Sequence, residues 1–306
     1  MAILASACAE SPTSPSSLST SRNGVAVQQG GAVAGFSLRF YGNGGGDVDR
    51  LTMALDPQVP ADVGHDFTIE FWMKADTSAN GTTSCQAGED GWRYGNVIVD
   101  RSMSGSPEQG EYGISVSGGR IAFGVANARG SQTLCGLIDV ADGRWHHVAV
   151  TRRAADGQMR VYVNGNESAQ GVGPTGDISY RDGRAPGEHG QDALLVLGAG
   201  KEDAKGRTPG FAGWIDEFRM SSRVRYLAPF DRPGAPFMSD ADTVALYHFD
   251  EGPQGPCASA VLDASGRGAA GQCRHGGATL PGPAYVPEGP FIRQEPRTVS
   301  KSWLNE

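Results

Sequence analysis

Alternation of apolar and polar residues with a period of two dominates the chain. In DFTIEFWMKA (66–75), Phe67, Ile69, Phe71 and Met73 fall on one side and Thr68, Glu70, Trp72 and Lys74 on the other, the pattern of a half-buried antiparallel strand. SLRFYG (37–42) sets Leu38 and Phe40 against Ser37 and Arg39, and LTMAL (51–55) repeats the arrangement. Further strands are read at NVIVDR (96–101), YGISVS (112–117), RIAFGV (120–125), WHHVAVTRR (145–153), MRVYVNG (159–165), ALLVLGA (193–199), GWIDEFRMS (213–221) and TVALYHFD (243–250). Gly118-Gly119, Asp156-Gly157 and Asn164-Gly165 provide the positive φ angles of tight hairpins. No segment keeps a helical period over three turns. So many short strands must bury a shared apolar face, and the stable solutions are a sandwich or a barrel. The strand number favours an all-β, two-sheet antiparallel sandwich.

Composition narrows this picture in three places. The net charge of −8 comes without a basic cluster, which argues against a nucleic-acid partner and leaves cation binding open. No run approaches the roughly 18 apolar residues of a membrane helix, so a membrane would be reached only through a lipid anchor. Five cysteines, Cys8, Cys85, Cys135, Cys257 and Cys273, form neither a C-x-x-C pair nor a zinc spacing. In an oxidising compartment the local pairing joins Cys85 to Cys135 and Cys257 to Cys273, with chain-entropy contributions of about 4 and about 3 kcal/mol; in a reducing one these are buried thiols. Cys8 is then the odd one. It ends the small apolar run LASAC (4–8), before ESPTSPSSLSTS (10–21). That order resembles a bacterial lipoprotein lipobox with its Ser/Pro/Thr tether, although no Lys or Arg precedes it, and the resemblance implies lipidation of Cys8.

Three segments in order, DFTIEFWMKA, WHHVAVTRRAADGQMRVYVNG and GFAGWIDEFRMSSRVRY, resemble the laminin-G-like jellyroll domains of the concanavalin A-like superfamily. SLRFYGNGGGDVDRL resembles their opening strand. Val244 to Gly271, VALYHFDEG…VLDASGRGAAG, is similar to the segment that often introduces a further copy of the domain. Too little chain follows for a second sandwich, so it is expected to pack back on the first. The organisation expected is a lipoprotein-like tether (1–35), a jellyroll (36–240) and a C-terminal segment on the same sandwich (241–306). The superfamily includes lectins, glycanases, adhesion modules and spacers, so function has to be argued from sites.

Catalytic signatures are missing. A glycanase on this fold needs carboxylates on alternate residues of one strand, as in E-x-D-x-x-E, and none is present; Asp216 and Glu217 are adjacent and point to opposite faces. There is no G-x-S-x-G, H-E-x-x-H or P-loop motif. GVGPTG (171–176) lacks a following helix and reads as a loop. His146 and His147 lie on opposite faces of a strand and cannot chelate one metal together. Asn80-Gly-Thr and Asn166-Glu-Ser match the glycosylation pattern by chance.

Two sites of binding are expected instead. By parity Asp216 lies with Trp214, Phe218 and Met220 unless a bulge intervenes, and a carboxylate among apolar groups must be paired, hydrogen-bonded or metal-bound. The family resemblance implies a structural Ca²⁺ held by such an Asp with the opening loop, here Asn43, Asp47 and Asp49, against simple turn-capping by the same residues. The family's usual Asp after the opening Phe is Tyr41 in this chain. The second site is the loop GEDGWRYGN (88–96), where Trp92, Arg93, Tyr94 and Asn96 are candidate sugar ligands pinned by Cys85; alternatively Trp92 plugs the sandwich beneath the disulfide. The function expected is a non-catalytic module, extracellular or in a bacterial cell envelope, that recognises glycans. The alternatives are a structural or adhesive protein with surface proteins as partners and, more weakly, a glycan-active hydrolase or lyase.

Overall fold

The computed structural model describes residues 35–42, 49–55, 58–81, 83–102, 110–180, 193–201, 208–258, 260–274 and 283–291. Cys8, Asn43 and Asp47 lie outside these. The larger sheet contains β1 (Ser37–Tyr41), β3 (Phe67–Asp76), β8 (Asp142–Arg152), β9 (Gln158–Val163), β10 (Asn166–Val172), β12 (Ala212–Ser221), β13 (Thr243–Tyr247), β14 (Gly255–Pro256) and β17 (Ala284–Val286). Its order is β10-β9-β8-β3-β12-β1-β17-β14, with β13 also on β12. The smaller sheet contains β2 (Arg50–Ala54), β4 (Asn96–Arg101), β5 (Glu111–Ser117), β6 (Arg120–Asn127), β7 (Gly130–Asp139), β11 (Leu194–Leu197), β15 (Ala260–Val261) and β16 (Gly271–Arg274), in the order β15-β16-β2-β11-β4-β5-β6-β7. All ladders are antiparallel, giving a two-sheet jellyroll; the described helices are single turns at Thr77–Asn80 and Gly91–Tyr94.

One apolar core fills the space between the sheets. Phe67, Ile69, Phe71 and Met73 of β3 meet Tyr112, Ile114 and Val116 of β5 and Ile121, Phe123 and Val125 of β6 in it, the alternation expected from sequence. Strands β13 to β17 belong to both sheets, so the chain from Thr243 onward contributes to the same core through Ala245, Tyr247 and Tyr285. Six described strands escape the sequence pattern: β7 and β10, whose positions alternate less cleanly, and β14, β15, β16 and β17, which are only two to four residues long. Gly171 and Val172 of GVGPTG close β10, and only the residues after them form the loop.

The outer face of the larger sheet is covered as well. Thr68, Glu70 and Trp72 were the polar side of β3, yet they are 0%, 0% and 2% exposed. The segment after β12 crosses this face, and the Thr68 hydroxyl fastens it, donating to the Arg223 carbonyl and accepting from the Arg225 amide. Tyr226 stacks on Phe230 at 3.6 Å between ring centroids. Phe237 packs with Trp72 and Leu246.

Under this strap Glu70 carries a buried charge. One carboxylate oxygen accepts two hydrogen bonds from Arg219, at 2.9 and 2.7 Å. The other meets His147 Nε2 at 3.2 Å and accepts from the Tyr226 hydroxyl at 2.8 Å. Burial opposes ionisation, but the His147 hydrogen bond and the Arg219 charge outweigh it and hold the Glu70 pKa below its ordinary 4.5. The two histidines thus have separate structural roles: His147 is in the strap network, and His146 bridges Asp142 and Asn164.

Two disulfides join Cys85 to Cys135 and Cys257 to Cys273. Removing the first, as Cys85→Ser with Cys135→Ser, is expected to cost about 4 kcal/mol by the loop-entropy model, read from urea unfolding. Glu70→Ala leaves a buried guanidinium unpaired and is expected to cost about 3–5 kcal/mol at neutral pH. Since the folded-state pKa is depressed, this contribution is complete above the ordinary 4.5 and fades as pH falls below it. Wild type and Glu70→Ala should therefore converge in stability under acid; a constant gap down to low pH would refute the assignment.

Candidate functional site

The loop before β4 is held from three sides. Cys85 ties it to Cys135 on β7. The Ser115 hydroxyl donates to the Trp92 carbonyl at 2.6 Å, and the Thr133 hydroxyl to the Glu89 carbonyl at 2.7 Å. Trp92 itself lies flat on the outer face of the smaller sheet, packed with Val97 and Ala122. Gly113 and Gly124, facing outward on β5 and β6, make this possible. A Cβ on either would stand 2.1 or 1.9 Å from the indole, far inside contact distance, so only glycine admits the ring there.

This geometry separates the four loop residues that the sequence grouped as ligands. Trp92 is 1% exposed and is the plug, so its assignment to ligand binding is corrected. Asn96 is corrected too: it is buried, and its amide donates to the Gly210 carbonyl at 2.8 Å. Arg93 is partly exposed, stacks 4.9 Å from the Trp92 ring and pairs with Glu111 at 2.6 Å. Burial works against its charge, but Glu111 and Asp100 outweigh that and raise its pKa. Tyr94 stands out into solvent at 56% exposure. The site that remains is the exposed ring of Tyr94, next in sequence to the Arg93 that pairs with Glu111, on a loop tied down by a disulfide and two hydrogen bonds.

Asp216 sits at a break in β12. The first half of β12 pairs with β1, from Ala212 opposite Tyr41 to Ile215 opposite Leu38; the second half pairs with β13. Where the partner changes, the register against β3 slips between Asp216 and Arg219, and Glu217 takes φ +50. This is a bulge. It changes the parity: Trp214 faces outward, while Ile215, Phe218 and Met220 enter the core.

Asp216 is buried and accepts a hydrogen bond from the Glu217 amide at 2.9 Å. Burial first, then the neighbouring Glu217 and Asp250 charges, push its pKa well above 3.8. Glu217 is fully engaged, accepting from the Phe237 amide at 2.6 Å and meeting His248 Nδ1 at 2.8 Å. That hydrogen bond, against burial, raises the His248 pKa. His248 also lines a cavity of about 700 Å³ with Asp250, Glu251, Leu262 and Asp263.

Of the calcium set drawn from sequence, Asn43 and Asp47 lie outside the described residues. Asp216 follows Ile215, which lies opposite Leu38 near the start of β1. Asp49 is buried just before β2 in the other sheet. Among the described residues no group of three or more His, Cys, Asp or Glu is arranged to hold a metal ion. The buried carboxylate of Glu70 is spent on Arg219, His147 and Tyr226.

Two antiparallel sheets enclosing one core, with aromatic and charged groups presented from pinned loops, define a jellyroll of the concanavalin A type. The chain belongs to the Laminin_G_3 family of the concanavalin A-like lectin/glucanases superfamily, whose model matches residues 52–228, more than half of the sequence. Among solved structures it is similar to a Bacteroides ovatus protein assigned, rather than demonstrated, to bind carbohydrate: 17% identity and a TM-score of 0.46, covering 77% of this chain and 58% of that one. It is also similar to a heptameric SAP-like pentraxin from Limulus polyphemus, at 18% identity, TM-score 0.42, and 63% and 79% coverage. Domains LG4-5 of the mouse laminin α1 chain match at 15% identity, TM-score 0.43, and 72% and 48% coverage. The chain thus spans less than two thirds of the first of these and about half of the laminin segment.

Two substitutions test this layout. Trp92→Ala removes a fully buried indole and is expected to cost about 3–5 kcal/mol, seen as a large drop in melting temperature; a fully stable variant would put Trp92 back in the ligand site. Asp216→Asn keeps the acceptor for the Glu217 amide and removes a charge that folding disfavours. Because the folded pKa is raised, the gain is present above 3.8 and disappears as pH falls below it. Melting of the variant at pH 7 and at pH 3 should show stabilisation only at the higher pH, and a loss there would point to a cation held by Asp216.

Proposed function

We propose that this chain is a non-catalytic glycan-binding module acting outside the cytoplasm, on the cell surface or beyond it. The observation that carries the reading is Tyr94. A solvent-facing aromatic ring offers its face to the C–H side of a sugar, and the adjacent, partly exposed Arg93 offers a donor to its hydroxyls. Buried Trp92 and the Cys85–Cys135 bond hold these groups in place before binding, which reduces the ordering cost of association. Two disulfides suit an oxidising compartment.

A glycan array probed with the intact chain is expected to show saturable binding. Tyr94→Ala should weaken it by roughly tenfold or more, the scale of a base or sugar ring lost from an aromatic platform, with the melting temperature unchanged. A blank array, together with recovery of a stable protein complex, would replace this reading with a structural or adhesive role. Release of reducing ends from a polysaccharide panel would replace it with catalysis.

A further inference from the structure

The bulge in β12 leaves an unexpected row on the outer face of the larger sheet. Trp145 of β8 lies opposite Lys74 of β3, Lys74 opposite Trp214 of β12, and Trp214 opposite Arg39 of β1. All four side chains are partly exposed, as is Tyr41 two residues beyond Arg39. The Arg39 guanidinium lies 3.6 Å from the Trp214 ring centroid and 5.3 Å from that of Tyr41. The Lys74 ammonium lies 4.7 Å from the same indole. Rings and cations therefore alternate across four strands.

The two cations differ in one respect. Lys74 forms an ion pair with Glu288. Arg39 meets no hydrogen-bond acceptor or ion-pair partner among the described residues; its contacts are with the two rings. Stacking occupies the faces of a guanidinium but leaves its N–H groups, which lie in the plane, directed sideways. Partial burial disfavours the Arg39 charge, and Glu288 compensates it only at a distance. Among the described residues the local balance is one uncompensated positive charge, in a protein whose net charge is −8. A planar, immobilised fork of donors without a carboxylate is a receptor for a two-oxygen anion.

We propose that Arg39, with Trp214 and Lys74, binds an acidic glycan, a sugar chain whose carboxylate or sulfate pairs with the Arg39 fork while its ring lies against the half-exposed aromatics Tyr41 and Trp145. The idea rests on the reading of the chain as a glycan binder but uses a different surface from the Tyr94 loop. It also commits to a charge that the Tyr94 site does not require.

The test is calorimetric titration of the intact chain with four probes of matched length: a sulfated glycosaminoglycan fragment, a uronate-only fragment such as oligogalacturonate, a neutral oligosaccharide and polyglutamate. Binding of either acidic sugar, weakened by salt and tighter than that of the neutral sugar and polyglutamate, is expected, and which acidic probe binds identifies sulfate or carboxylate as the partner. Arg39→Gln should weaken it roughly tenfold to a hundredfold, as for loss of a charged hydrogen-bond pair, by the same factor whether or not Tyr94 is also replaced by alanine. Should Arg39→Gln misfold, Arg39→Lys keeps the charge, loses the planar fork and should still weaken binding. Equal binding of neutral and acidic sugars, equal binding of polyglutamate, no binding of either acidic probe, or acidic binding untouched at Arg39 but lost in Tyr94→Ala would each overturn the proposal. The last outcome would leave the Tyr94 reading intact.

Discussion

The outer side of the larger sheet is organised around one charge that has no water. Glu70 lies in the middle of β3 at 0% exposure, and an ionised carboxylate there is tolerable only if every lone pair meets a donor. Arg219 comes from the neighbouring strand, His147 from the strand on the other side and Tyr226 from the crossing strap. Sheet and strap are thereby coupled, because withdrawing the strap would leave the carboxylate with one fewer donor and open Trp72, Tyr162 and His147 to solvent. Apolar packing of Phe230 and Phe237 adds adhesion, but the charge fixes where the strap must lie.

The smaller sheet meets the same need by a different route. Its outer face is covered where Trp92 lies on Gly113 and Gly124. Both broad faces of the sandwich therefore carry cover that belongs to the protein. Among the described residues, partly exposed aromatic groups lie at the margins of that cover: at the tip of the Trp92 loop, and in the row of β8, β3, β12 and β1. Recognition on this jellyroll is thus a matter of rims and short rows, where a ligand meets a few preset groups.

Much of the fold could be read from local pattern, since alternation in β3, β5 and β6 depends only on neighbours in sequence. The covers could not, because each depends on contacts between distant residues. Glu70 and Trp72 read as solvent-facing until the strap is known, and the strap has no period of its own. Trp92 did leave a trace: the outward positions of β5 and β6 are Gly113, Ser115, Ala122 and Gly124, a row of small residues that makes room for a large one. The bulge at Asp216 left none, since Glu217 adopts a positive φ without being glycine and nothing local announces it. That one irregularity turned Trp214 outward. It also hid the Arg39 row, which exists only once the ladder of β1 on β12 is known.

The pairing of β1 with β17 has a mechanical consequence. Ser37, where β1 begins, lies opposite Val286, where β17 ends, so these two strand ends meet at one corner of the larger sheet. Tension applied between those two points would run across a single pair of residues and pass the rest of the jellyroll by. The module would then hang beside the line of force, its sheets unloaded and its rims free to turn toward a partner, while the first bonds to strain would be the few that join those two strands.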